Sequence, residues 1–193
     1  MDMAFRVPSD SVSSAGRAAH DLALAALIGG NLFGRFAMGP ALTDISDQEQ
    51  RGTVLNRAWR RYGTINSLAL VTLVGSWVPA RLNETRPRWL SPRERRLATA
   101  KDLTMGAVVL TGLASAASGV GFAQQAPDGA VPMSSGSQAA PEASTKATNL
   151  KRVLNGLGAL SLVAEVSLLS ANAALAQTGF RRPPVRRLLR QRY

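Results

Sequence analysis

The chain has 193 residues, 46% of them hydrophobic and 18% charged, with a formal net charge of +11 and no cysteine. The lack of thiols excludes a disulfide framework and a thiolate metal site, and the single histidine, His20, excludes a haem held between two histidines of one chain. The positive excess would suit a nucleic-acid binder, but the charges are clustered and four long stretches between the clusters are nearly free of them.

In chain order, residues 1–18 read as a polar cytoplasmic tail, and the run from Leu22 to Leu42 as a first apolar helix interrupted only by Arg35. The tail is long, contains Asp2 and Asp10, and no clean small-x-small cleavage pattern follows the run. The segment is therefore expected to be a retained span and not a signal peptide. Gly30 and Gly34 form a GxxxG pair that permits close helix approach, and Gly39 and Pro40 mark the expected exit. The next stretch, "TDISDQEQRGTVLNRAWRRYG", places Val54, Leu55, Ala58 and Trp59 at helical spacing, which predicts a short interfacial helix leading into the second span. Trp59 and Tyr62 suit the headgroup level.

The second uncharged run is Tyr62 to Ala80. It is followed by a basic middle loop in which Ser91 and Pro92 precede "RERR" as a helix cap and first helical residue. Trp89 and Leu90 beside these cations offer a surface for anionic lipid headgroups. Leu103 to Pro127 contains no ionisable residue and is long enough to cross a hydrocarbon core of about 30 Å. Its residues Ala107, Thr111, Ser115 and Gly119 make a small-residue stripe suited to helix packing. Residues 125–149, rich in Ala, Ser, Gly and Pro, are expected to bury no core and to form a flexible non-cytoplasmic loop. Val153 to Phe180 is the last apolar run, interrupted only by Glu165, and Pro183 and Pro184 open a basic tail over 181–193.

These runs predict an all-α, integral membrane four-helix bundle over 19–180, with spans at about 20–41, 62–80, 103–124 and 153–178. Fifteen Lys and Arg residues fall in the two tails and the middle loop, against seven in the other two connections. The positive-inside rule then puts both termini in the cytoplasm and the chain in a bacterial inner membrane. The excess of arginine over lysine fits a GC-rich bacterial genome. Nucleic acid is not an expected partner; the lipid bilayer is, together with a membrane protein partner or a second copy of the chain.

An ionisable group inside a membrane costs several kcal/mol unless it is paired or hydrated, so Arg35 and Glu165 are the candidate functional residues. Asn31 lies four residues before Arg35 and shares its face, and Asn66 lies early in the second span. Together Asn31, Arg35, Asn66 and Glu165 form an expected polar seam or binding site, with Glu165 and Arg35 as the candidate catalytic pair if the protein is an enzyme. No metal or cofactor is expected. No Walker-type loop is present, "GGNLFG" lacks GxGxxG spacing, and the lone histidine cannot complete a Ser, His, Asp triad with the intramembrane groups.

The stretch "GGNLFGRFAMGPALTDISDQEQRGTVLNRAW" resembles the first helix and loop of bacterial four-span membrane families of unknown function. It is similar in shape to anthrone-oxygenase-like membrane proteins and, more distantly, to the copper-resistance membrane domain. The resemblance implies a compact four-helix bundle and, in one branch, cofactor-independent oxygenation of polyketide anthrones. It assigns no catalytic residue, and the lack of histidine along most of the spans counts against copper handling. Three functions are therefore open: a binding or accessory subunit with a polar intramembrane seam, an oxygenase-like enzyme acting on a lipophilic substrate, and a small transporter in which Glu165 titrates.

Overall fold

Side chains beside the apolar runs set where the helices begin. Asp47 accepts hydrogen bonds from the backbone N–H groups of Glu49 and Gln50 at 2.8 and 2.9 Å, Ser144 from that of Ala147 at 3.1 Å, and Ser91 closes a reciprocal capping box with Glu94. Each cap satisfies N–H groups that the first helical turn leaves without partners.

The computed structural model describes residues 10–83 and 91–180. Its long helices are α1 (Asp10–Phe33), α2 (Gln48–Asn83), α3 (Pro92–Ala123) and α4 (Thr145–Phe180). The fold is all-α, and four stretches are long and apolar enough to cross a membrane: Ser14–Asp44, Gln48–Arg81, Pro92–Ala123 and Thr145–Gln177. The basic tail at 181–193, the first half of the N-terminal tail, and Trp89 and Leu90 lie outside the described residues.

α3 and α4 share the most extensive contact, followed by α1 and α2. α1 also lies against α4, and a smaller contact between α2 and α3 closes the bundle. Its central core joins Leu24 and Leu27 of α1, Leu73 of α2, Met105 and Val108 of α3, and Leu168 of α4. The outward faces are as apolar as the core: Leu110 is 69% exposed and Val71 is 71% exposed. Water would penalise such a surface, whereas a hydrocarbon solvent suits it.

The sequence places the exit of the first helix at Gly39 and Pro40, but the helical path runs on to Asp44. It passes through a π-helical turn at Gly34–Met38, an α-helical turn at Gly39–Ala41 and a 3-10 turn at Leu42–Asp44. Pro40 has no N–H to donate. Just before it, the Gly39 N–H reaches back five residues to the Gly34 carbonyl, the spacing of a π turn. The expected interfacial helix is also not separate. Residues 48–61 are the first part of α2, whose 36 residues extend about 54 Å against a hydrocarbon core of about 30 Å.

The expectation for 125–149 needs the largest correction. This segment folds into a 3-10 turn (Pro127–Gly129) and a small antiparallel hairpin of β1 (Met133–Ser135) and β2 (Gln138–Ala139), and from Thr145 onward it is already α4. Val131, Met133 and Ala139 are buried with Leu42, Leu55, Phe122 and Ala147 in a second core that caps one end of the bundle. Composition misled because the segment supplies only Val131 and Met133 as bulky members of this core, the others, Leu42, Leu55 and Phe122, coming from outside it. Glycines let the cap sit close. A Cβ on Gly52 would lie 1.9 Å from the Val131 carbonyl oxygen, and one on Gly136 would lie 2.3 Å from the Gly39 Cα. Arg51 then ties the parts together, donating to the carbonyls of Thr43, Ile45, Met133 and Ser134.

Candidate functional site: a buried carboxyl between the first and last helices

Glu165 is only 2% exposed. The Asn31 side-chain amide of α1 straddles its two carboxyl oxygens, donating at 2.9 Å to Oε1 and 3.0 Å to Oε2. Ser161, one turn earlier on α4, adds a third donor, its Oγ lying 2.8 Å from Oε1. The i, i+4 spacing on a helix puts Ser161 and Glu165 on one face, and that face is turned toward α1. A buried polar group without partners would cost about 1–3 kcal/mol, and more if charged. Three contacts from within the protein offset that cost here.

Arg35, in the π turn that follows α1, lies on the same side as Asn31 but does not reach Glu165. Its Nη2 donates to the Asn155 carbonyl of α4 at 3.1 Å, and the side chain as a whole is exposed. Asn155 is ten residues before Glu165, about 15 Å along the helix, so Arg35 points away from the carboxyl and toward the capped end. The guanidinium passes close over Gly158, where a Cβ would lie 3.4 Å from Arg35 Nη2. Asn155 continues the chain of contacts into the cap, its Nδ2 donating to the Ser137 carbonyl at 2.6 Å. Asn66 stands apart. It is half-buried and, among the described residues, makes no hydrogen bond to Asn31, Arg35 or Glu165.

The GxxxG pair does promote close approach, but to aromatic rings and not to a facing backbone. A Cβ on Gly30 would lie 2.1 Å from the Tyr62 ring, and one on Gly34 would lie 2.5 Å from the Trp59 ring. The Tyr62 hydroxyl donates to the Ala26 carbonyl, and the two rings meet edge to face at 6.2 Å. In the stripe on α3, Thr111 is buried and returns its hydroxyl to the Ala107 carbonyl at 2.7 Å, while Gly119 faces open space. The close glycine contact of α3 is instead Gly112 against Leu70.

A second polar network, not evident from the sequence, joins all four helices at the end away from the cap. Lys101 of α3 donates to Asn172 of α4 at 2.6 Å, and Asn172 donates to Asp21 of α1 at 2.7 Å. Arg81 and Trp77 of α2 both donate to Asp102 of α3, at 2.7 and 3.2 Å. His20 is buried, with Nδ1 3.2 Å from the Ser76 hydroxyl. The Ser76 hydroxyl also lies 3.0 Å from the Leu73 carbonyl, to which it can donate. Among the described residues, no group of three His, Cys, Asp or Glu side chains is placed to hold a metal ion. No protein-family model, curated protein or solved structure matches the chain.

Proposed function

We propose that the chain is a small multi-pass protein of a bacterial inner membrane, with both termini cytoplasmic, acting as a binding or accessory subunit whose polar seam fixes helix register. The observation that carries this reading is the closed environment of Glu165. Both of its oxygens already accept hydrogen bonds from Asn31 and Ser161, and the group is sealed from the surface. A general base or a transported-proton carrier needs a free approach to its carboxyl, so the oxygenase-like and transporter readings have less support. The positive-inside distribution supports the orientation. The exposed apolar faces support both the bilayer and a membrane partner.

The test is blue-native electrophoresis of the tagged full chain, solubilised gently from its own membranes. The chain is expected in a complex larger than itself, and that complex should be retained in Glu165→Gln and weakened in Asn31→Leu, which leaves the carboxyl without its main donor. Migration as an isolated monomer from native membranes would contradict the reading.

A further inference from the structure

The two glycines that receive Tyr62 and Trp59 also leave a depression on the outer surface of the bundle, between α1 and α2. The groove has a volume of about 290 Å³ and is lined by Gly30, Gly34, Trp59, Tyr62 and Ile65, with Arg61 the one charged residue in its wall. Ala58, Arg61, Tyr62 and Ile65 follow one another at helical spacing, so one stripe of α2 forms that wall. Arg61 lies partway along that stripe, about one turn nearer the cap than Ile65 and one turn farther from it than Ala58, so a cation flanks an apolar trough. Its side chain is exposed and makes no hydrogen bond or ion pair with any described residue, and the same holds for Arg57 and Arg60 on the adjoining face. Three cations within about one turn repel one another unless an anion lies among them.

We propose that this groove holds one acyl chain of an anionic phospholipid, with the phosphate on Arg61 and the neighbouring Arg57 and Arg60 adding to its attraction. The proposal rests on the membrane reading above. The depth relations fit it: Trp59 and Tyr62 are the amphipathic aromatics that favour the headgroup level, and the groove descends from them along Ile65 toward the bilayer interior. A guanidinium binds phosphate through paired N–H donors. The trough adds burial of methylenes that a free phosphate cannot supply.

The experiment uses the full chain, first shown to resist carbonate extraction, then purified in mild detergent and titrated with phosphatidylglycerol or phosphatidylcholine of equal chain length under native mass spectrometry. Phosphatidylglycerol is expected to be retained about fivefold more tightly. Arg61→Ala, a change at an exposed side chain, should remove that preference. Ala58→Leu, which narrows the groove, should weaken both lipids, and Arg152→Ala, at an exposed cation of α4 that does not line the groove, should change neither. Release of the chain by carbonate would overturn the membrane reading and the site with it. With the chain retained in carbonate, equal binding of the two lipids, or a preference that survives Arg61→Ala, would overturn the site alone. So would displacement of phosphatidylglycerol by inorganic phosphate at matched concentration, or a dimer that buries Trp59 in place of lipid.

Discussion

Asn31 and Glu165 are 134 positions apart in sequence, yet the one amide engages both oxygens of the other's carboxyl. Their energetics are asymmetric. Removing the donor leaves a buried acceptor that still has to be satisfied, whereas removing both leaves only apolar contact. Asn31→Leu should therefore lower stability by about 2–3 kcal/mol. Glu165→Gln should cost about 1 kcal/mol or less, because an amide oxygen can still accept. The double variant Asn31→Leu/Glu165→Leu should recover much of the loss, a coupling read from thermal unfolding of the parent, Asn31→Leu, Glu165→Leu and the double variant in detergent. Additive losses would show that the pair does not act as a unit. The candidates themselves are legible in the sequence, because a carboxyl, an amide and a guanidinium stand out in apolar runs. Which of them meet is not, since Arg35 and Asn31 share a face but lie about 6 Å apart along the first helical path, and only the register of α4 decides which one Glu165 meets.

The helix ends and the hairpin show how far element boundaries can be read. Hydropathy marks the apolar part of a helix, but the polar flanks of α2, α3 and α4 are good helix formers and continue the helix beyond it. The hairpin is hidden for a different reason: its local composition is that of a loop, and its core exists only once Leu42, Leu55 and Phe122 arrive from three helices. Arg51 is the element-scale test of that arrangement. Arg51→Ala leaves the carbonyls of Met133 and Ser134 without their donor and should release the hairpin, giving faster amide exchange over 131–140 and a loss of about 2–3 kcal/mol. Exchange unchanged from the parent would show that glycine-mediated packing alone holds the cap. The aromatic contacts of α1 make a second test. Gly34→Leu collides with the Trp59 ring and should cost about 1–3 kcal/mol of overpacking, partly restored when Trp59→Ala is added. Failure of that rescue would separate Gly34 from Trp59.

At the scale of the molecule, three features align along one axis: a folded cap at one end, a sealed carboxyl within the bundle, and a four-helix polar lock at the other end. The apolar belt between cap and lock is what a bilayer would surround, and the proposed orientation rests on the asymmetry of Lys and Arg. Because the chain has no cysteine, single-cysteine variants report this directly without a background to remove. In intact cells, Ser137→Cys in the hairpin turn should react with a membrane-impermeant maleimide, while Arg95→Cys in the first turn of α3 should react only after the membrane is opened. Equal labelling of both positions in intact cells, or the reverse pattern, would contradict a bundle that crosses the membrane with its cap outside.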